Sequence, residues 1–119
     1  MQYLLLIYND AEKMKSLTPD GYRTMAEGYD GWLRSMTERG SLRGTGNWPA
    51  VITTVRVDEG KTLATDGPFA EAREGVGGFV VIEAKDLDEA IEIASKIPSA
   101  ASGAVEVRPL LTIGSGTAS

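Results

Sequence analysis

The sequence contains no cysteine and no histidine, and these two absences exclude several common kinds of site. Without cysteine there is no disulfide, no thiol nucleophile and no thiolate metal site. Without histidine, the usual general base at neutral pH and the commonest metal ligand are both missing. Any acid–base chemistry must therefore use carboxylates, lysine, tyrosine or water. The remaining carboxylates show no metal-ligand spacing, so we expect neither a metal nor a cofactor.

The sequence also has no excess of positive charge. Lysine and arginine number 12 against 17 acidic residues, which gives a net charge of −5. Nucleic acid is therefore not an expected partner, because phosphate binding needs a basic face. The longest apolar run, Leu4 to Ile7, is far too short to span a membrane, and the amino terminus does not have the pattern of a signal peptide. We expect no membrane association and, by default, a cytoplasmic location.

The overall composition is that of an ordinary globular domain. The chain has 119 residues, of which 42% are hydrophobic and 24% charged. This length fits one domain with a core of its own. We predict a single domain over residues 1–111. The Gly- and Ser-rich tail at 112–119 is expected to be disordered.

Hydrophobic periodicity predicts the order β-α-β-(hairpin)-β-α-β. Residues 3–8 are apolar on both alternating faces, which is typical of a strand covered on both sides. Apolar residues at spacings of three and four from Tyr22 to Met36 predict a helix that begins after Thr18 and Pro19. Its aromatic side chains are expected in the core or at a dimer interface. The other predicted elements are an irregular strand at 41–49, a hairpin of 51–57 with 62–65, a strand at 78–84, a helix starting at Asp86 and a strand at 104–110.

The apolar character of both faces of two strands predicts a partner for the sheet. Two helices can cover only one face of a four-stranded sheet. The strands at 3–8 and 78–84 are apolar on both faces, and an uncovered face would be a large exposed apolar patch. A second copy of the same sheet is the simplest cover. We therefore predict a ferredoxin-like α+β fold with an antiparallel sheet, forming a homodimer through its sheet faces.

The segment TDGPFAEAREGVGGF, residues 65–79, allows two interpretations. Asp66 and the Gly-Pro pair after it form a strong turn signal, with Phe69 held by a rigid corner. The turn is either a folding corner, with Asp66 as a cap and Phe69 as a core side chain, or a rigid mount that presents Asp66 to a pocket. In the second case, Glu71 and Arg73 would lie at the rim of that pocket.

The glycines at 75–78 do not form a phosphate loop. Phosphate loops open a helix, whereas this segment precedes a strand, and it contains neither GxGxxG nor a Walker lysine. A turn or a β-bulge at the entry to the strand is the expected structure.

Two arginines and one tryptophan are further candidates for a site. Arg56 in TTVRV and Arg108 in EVRP each have an apolar neighbour on both sides. Each either pairs with a carboxylate or faces a cleft and holds an anionic group of a small molecule. Trp48, on the irregular strand, either lines the mouth of a pocket or fills the core.

The motif TDGPFAEAREGVGGF, followed by the acidic DLDEA segment and by AVEVRPL, resembles the DGPF branch of the YCII-related proteins. The strand YLLLIY and the segment TTVRV agree with it, so the resemblance covers residues 1 to about 111. It implies a ferredoxin-like fold of the dimeric α+β barrel kind. Some members of this bacterial family are encoded beside extracytoplasmic-function sigma factors, and the resemblance does not imply a settled activity.

The resemblance leaves Asp66 as the candidate acid. Better-discussed YCII relatives carry a His-Asp pair proposed as catalytic, which a chain without histidine cannot have. The family usually has a lysine where this chain has Arg73, which keeps the positive charge but does not transfer a proton. Two functions stay open. One is a small-molecule binder or cofactor-free lyase or isomerase with Asp66 as proton acceptor. The other is a non-catalytic interaction or regulatory module, for which the resemblance suggests a link to sigma-factor signalling.

Overall fold

The computed structural model describes residues 1–47, 53–66 and 75–111. Within these residues the elements are β1 (Gln2–Asn9), α1 (Ala11–Lys15), α2 (Pro19–Glu38), β2 (Leu42–Asn47), β3 (Thr53–Asp58), β4 (Lys61–Asp66), β5 (Gly75–Glu83), α3 (Leu87–Ser95), α4 (Ser99–Ser102) and β6 (Ala104–Pro109). The predicted order is confirmed, with two short additional helices, α1 and α4. The predicted disordered tail at 112–119 lies outside the described residues.

Four of the strands form one antiparallel sheet in the order β2-β5-β1-β6. The first strand therefore lies in the middle, between β5 and β6, and the helices connect strands that are not neighbours. This is the arrangement of a ferredoxin-like α+β fold, as the sequence predicts.

The core lies between one face of this sheet and the helices. Alternation along β1 turns Tyr3, Leu5 and Ile7 toward the helices, and all three are buried. Their counterparts on β5 are Val80 and Ile82, which are also buried. The helices contribute Trp32, Met36, Ala90, Ile93 and Ala94 to the same cluster, and the turn between α3 and α4 contributes Ile97.

The long helix α2 begins and ends at the residues that the sequence indicates. The Thr18 hydroxyl accepts a hydrogen bond from the Gly21 N–H at 3.0 Å, and Pro19 occupies the first turn. After the helix, Gly40 adopts a φ of +71°, a conformation that suits glycine.

The segment between β1 and α2 contains a short helix that is absent from the predicted order of elements. Residues 11–15 form α1, because the Asp10 carboxylate accepts hydrogen bonds from the N–H groups of Glu12 at 2.9 Å and Lys13 at 3.2 Å. The aspartate that ends β1 thus also caps a helix.

Near the carboxyl terminus, α3 has the predicted cap and α4 follows it. The Asp86 carboxylate accepts from the Glu89 N–H at 2.9 Å. The helix ends at Ser95, before Pro98, and one further turn, α4, starts at Ser99. The side chain of Ser99 is completely buried.

The second face of the sheet carries apolar side chains that no described helix covers. The alternate residues of β1 and β5, which point away from α2 and α3, are partly exposed. They are Leu4, Leu6, Tyr8, Phe79 and Val81, and they are called the open face below. One edge of the open face carries Glu106 and Arg108, which lie opposite Leu6 and Leu4.

Strands β3 and β4 form a separate two-stranded hairpin. Its turn, Glu59-Gly60, has positive φ at both residues, 49° and 76°, as a two-residue type I′ turn requires. Val55 and Val57 lie on one face of the hairpin and are 62% and 70% exposed. A lone two-stranded hairpin is marginally stable in water, so this exposed apolar surface favours a packing partner.

Among the described residues, no helix is long and apolar enough to cross a membrane.

Candidate functional site

A cavity of about 430 Å³ lies between α2 and the end of the sheet where β1 and β2 finish and β5 begins. The short helix α1 contributes Met14 to its wall. The volume falls in the range of natural small-molecule sites, about 300–1,000 Å³. The cavity is therefore large enough for a small cyclic ligand.

Most of the cavity wall is apolar or aromatic, and its amide groups are concentrated at the sheet end. The helices contribute Met14, Tyr22, Met25, Ala26, Tyr29, Asp30 and Leu33. The sheet contributes Ile7, Asn9, Thr45, Gly46, Asn47, Gly77, Gly78 and Val80. An apolar body with a few placed polar groups is the usual composition of a ligand site.

The aromatic residues of α2 divide into core and cavity. Trp32 is buried, and its indole N–H donates to the Ile93 carbonyl at 3.1 Å, as expected of a core residue. Tyr29 is half-buried and lines the cavity. Tyr22 also lines the cavity and is 58% exposed. Of the two predicted places for this residue, the core is therefore wrong, and a position at a dimer interface stays a prediction.

Two glycines make room for two side-chain amides at the sheet end of the cavity. A Cβ at Gly77 would lie 2.4 Å from Asn9 Nδ2, and a Cβ at Gly78 would lie 2.5 Å from Asn47 Oδ1. A β-bulge also interrupts the pairing of β1 with β5 at this point. The predicted bulge at the entry to the strand is thus confirmed, and the same glycines shape the cavity.

Three polar side chains form a chain of hydrogen bonds behind the cavity wall. The Ser99 hydroxyl donates to Asn9 Oδ1 at 2.8 Å and makes a short hydrogen bond with the Tyr29 hydroxyl. These three groups are called the Tyr29–Ser99–Asn9 relay below. Tyr29 and Asn9 line the cavity, whereas Ser99 is completely buried behind them.

Burial raises the pKa of the Tyr29 phenol above its ordinary value, because it disfavours the phenolate. Tyr29 is therefore a neutral hydroxyl at physiological pH.

The close approach of α2 to the turn before α4 brings Tyr29 to Ser99. A Cβ at Gly28 would lie 3.1 Å from Pro98 Cγ, so glycine at this position lets the helix approach the turn. Tyr29 follows Gly28 on α2, and Ser99 follows Pro98. The contact between Gly28 and Pro98 therefore places Tyr29 next to Ser99.

The two predicted arginine candidates lie apart from this cavity. Arg108 is on β6 and forms an ion pair and a hydrogen bond with Glu106, on the open face of the sheet. The hydrogen bond to this carboxylate and its charge raise the pKa of Arg108. Of the two alternatives for Arg108, the structure shows the pairing with a carboxylate.

Arg56 lies on the exposed hairpin, opposite Leu63. It lines a hollow of about 290 Å³ together with Asp58, Leu63 and Thr65. Neither Arg56 nor Arg108 lines the larger cavity.

The remaining candidates lie in or beside segments outside the described part of the chain. Asp66 is the last residue of β4, and its backbone pairs with Thr53. The other four, Trp48, Phe69, Glu71 and Arg73, lie outside the described residues.

Sequence reasoning missed the polar groups of the cavity. Asn9 follows the predicted strand at 3–8, Asn47 lies within the predicted irregular strand at 41–49, and Ser99 is not among the predicted site residues. The signal that could have found the asparagines is their position at two strand ends, with a glycine pair entering the strand between them. Among the described residues, no group of three or more carboxylates could hold a metal ion.

Comparison with known proteins gives a family and a fold. The sequence model of the YCII-related domain matches residues 1–113. The uncharacterised protein R00369 of Rhizobium meliloti (strain 1021) is 32% identical over 114 residues, which cover 92% of each chain.

A solved structure with the same fold is that of the 5-chloro-2-hydroxyhydroquinone dehydrochlorinase TftG from Burkholderia phenoliruptrix AC1100, in complex with 2,5-dihydroxybenzoquinone. The TM-score is 0.52 at 15% identity, over 92% of this chain and 93% of the other. At this identity the likeness shows the fold alone. The family match and the fold agree, and the chain belongs to the YCII-related family.

Proposed function

We propose that this protein binds a small organic molecule in the cavity between α2 and the sheet, as a binding protein or as a cofactor-free enzyme of the lyase or isomerase type. The observation that carries the proposal is the arrangement of that cavity, where an apolar wall ends in the amides of Asn9 and Asn47 and the hydroxyl of Tyr29. Polar groups that converge at one end of an apolar pocket fix the orientation of a ligand.

The uncharged character of the polar end favours recognition through hydrogen bonds. Among the described residues of the lining, the charged group is the exposed carboxylate of Asp30. The expected anionic ligand would need a guanidinium, and Arg56 and Arg108 lie elsewhere. We therefore place a neutral ligand first among the compounds to test.

A screen of small cyclic compounds by protein-observed NMR tests the proposal. The ligand named in the structure of the dehydrochlorinase, 2,5-dihydroxybenzoquinone, is included because the two proteins share a fold. It is a vinylogous acid and therefore anionic at neutral pH, so neutral cyclic ketones are tested before it. Binding should shift the signals of Asn9, Tyr29, Asn47 and Gly77. Failure of every compound to bind would contradict the proposal and favour the non-catalytic interaction module.

A variant that fills the cavity gives the matching test. Ala26→Trp places an indole in the cavity, since the Ala26 side chain lines it, and should abolish binding of any compound found in the screen. Ala101→Trp is the control, because Ala101 is exposed on α4 and does not line the cavity. Binding that survives Ala26→Trp, or shifts that fall on the hairpin, would place the ligand elsewhere.

Asp66 is proposed as the proton acceptor if the protein is an enzyme. The support is its position in the DGPF motif, at the end of β4 beside a rigid turn sequence. Removal of a general base typically costs about 100-fold or more in rate. If the wild-type protein catalyses the exchange of solvent deuterium into the carbon next to the carbonyl of a bound ketone, Asp66→Asn should therefore slow that exchange by about this factor. The protein should keep its fold, which circular dichroism checks. An unchanged exchange rate in the folded variant would show that Asp66 is not the base.

We also propose that two copies associate through the open face of the sheet. The partly exposed apolar residues of that face support this assembly.

A further inference from the structure

The hydrogen bonds of the Tyr29–Ser99–Asn9 relay run in one direction only. The Ser99 hydroxyl donates to Asn9 Oδ1 at 2.8 Å. A serine hydroxyl has a single proton, so it has none left for Tyr29. The short hydrogen bond between Tyr29 and Ser99 is therefore donated by the tyrosine. The proton order is Tyr29 to Ser99 to Asn9.

This direction decides what the cavity wall offers to a ligand. Tyr29 donates its one hydroxyl proton to Ser99, so its oxygen can only accept a hydrogen bond from a ligand in the cavity. Asn9 Oδ1 already accepts from Ser99. Asn9 Nδ2 lies in the space beside Gly77, which also lines the cavity. Within the described part of the chain, no group accepts a hydrogen bond from Asn9 Nδ2. The wall thus presents an acceptor and a donor close together.

Packing outside the cavity holds the relay in place. Ser99 is completely buried, and its carbonyl accepts from the Gly103 N–H at 2.7 Å. The preceding residue, Pro98, lies against Gly28 of α2. Since Ser99 is fixed from both sides, it in turn fixes the orientation of the Asn9 amide.

We propose that the cavity selects a neutral molecule with a hydroxyl group next to a carbonyl group, and that Ser99 is the positioning residue for this selection. The hydroxyl of the ligand donates to Tyr29 Oη and its carbonyl accepts from Asn9 Nδ2. A carboxylate has no proton to donate and would place an oxygen lone pair against that of Tyr29. This inference rests on the proposed function, because it names the ligand class for the same cavity.

Three compounds with one ring skeleton separate the two hydrogen bonds. The probe 2-hydroxycyclohexanone has both groups, 2-methoxycyclohexanone has lost the donor proton, and cyclohexanone has lost the whole hydroxyl. We expect the hydroxyketone to bind the wild-type protein about tenfold more tightly than either of the others, the usual effect of one hydrogen bond. Equal affinity for the three compounds would overturn the inference.

The variant Tyr29→Phe tests the acceptor without a large change in shape. It should abolish the tenfold preference and leave the affinity for cyclohexanone unchanged, because only the contact with the hydroxyl is lost. If the methyl ether were excluded by its size alone, the preference over 2-methoxycyclohexanone would persist in this variant. That result would contradict the role of Tyr29.

The variant Ser99→Ala tests the positioning role. Ser99 does not line the cavity, so a change in ligand preference must act through Asn9 and Tyr29. We expect about a tenfold loss of affinity for 2-hydroxycyclohexanone and a shift of the Asn9 side-chain amide signals in the ligand-free protein. In a folded Ser99→Ala protein, unchanged Asn9 signals and unchanged affinity would overturn the role of Ser99.

The outcomes also distinguish this inference from the proposed function. Binding of cyclohexanone in the cavity as tight as that of 2-hydroxycyclohexanone would leave the binding function standing and overturn the ligand class. No binding of any of these compounds in the cavity would overturn both.

Discussion

Replacement of Gly103 by alanine should lower the free energy of unfolding by about 3 kcal/mol, the upper part of the range for forcing an extra group into a packed site. A Cβ at this position would lie 2.1 Å from the carbonyl oxygen of Tyr8 and 3.3 Å from the Cα of Asn9. These are backbone atoms of the central strand β1, so they cannot turn away as a flexible side chain could. Relief of the clash must separate the end of β1 from the junction of α4 and β6.

The same substitution elsewhere in the chain should have the opposite sign. Gly31 lies inside α2, and a Cβ there would meet nothing within 4 Å. Alanine is favoured over glycine in a helix by about 1 kcal/mol, so Gly31→Ala should raise the free energy of unfolding by about that amount. Both variants add one methyl group. At Gly103 this group meets backbone atoms of β1, whereas at Gly31 it lies in open space on a helix.

Urea denaturation followed by circular dichroism measures both variants. The protein concentration must be held constant, because association would contribute to the apparent stability. If Gly103→Ala stayed within about 0.5 kcal/mol of the wild type, the close contact between α4 and β1 would be wrong. In that case the position of Ser99 behind the cavity would be in doubt as well.

The fold could be predicted from the sequence because its elements depend on local pattern. The alternation of residues 3–8, the three-four spacing in α2 and the caps at Thr18 and Asp86 each lie within one element. The antiparallel four-stranded sheet then followed, since two helices and two strands that are apolar on both faces leave few arrangements. The short helices α1 and α4 were missed, because single turns have too few residues for a periodic pattern.

The cavity could not be predicted in the same way because it depends on contacts distant in sequence. Ser99 meets Tyr29 across 70 residues and Asn9 across 90 residues. The glycine segment at 75–78 was correctly interpreted as a bulge, but its second role, making room for Asn9 and Asn47, appears only when the strands are paired.

Residue type and sequence neighbours alone do not decide which surface an arginine candidate lies on. Arg108 has apolar neighbours in sequence, which is compatible with a residue at the edge of a cleft. The pairing of β6 with β1 places it instead beside Glu106 on the open face of the sheet. A side chain in a strand points to a face that its register fixes, and the register is a property of the whole sheet.

Val81→Lys should weaken the proposed homodimer by about 100-fold or more, since each copy would bring an unpaired ammonium group into an apolar interface. Val81 lies on β5, opposite Leu4 of β1 and Gly44 of β2, and is therefore near the middle of the open face. The nearest acid of this face, Glu83, lies two residues along β5. Its carboxylate is already paired with the Met1 ammonium group at 2.6 Å, so it is not a free partner for the new lysine.

The matched control is Ile91→Lys, which makes a comparable change on the helical side of the molecule. Ile91 is 51% exposed on α3, so a lysine there keeps its charge in water. Light scattering should give the mass of two chains for the wild type and for Ile91→Lys at micromolar concentration, and the mass of one chain for Val81→Lys. Circular dichroism would show that each variant is folded.

If the wild type had the mass of one chain at this concentration, the proposed homodimer would be wrong. A Val81→Lys protein that keeps the mass of two chains would show that the copies associate through another surface. The hairpin is the alternative surface, because Val55 and Val57 are the more exposed apolar residues. Val57→Lys would then be the variant that dissociates the pair, and the open face would need a different explanation for its apolar side chains.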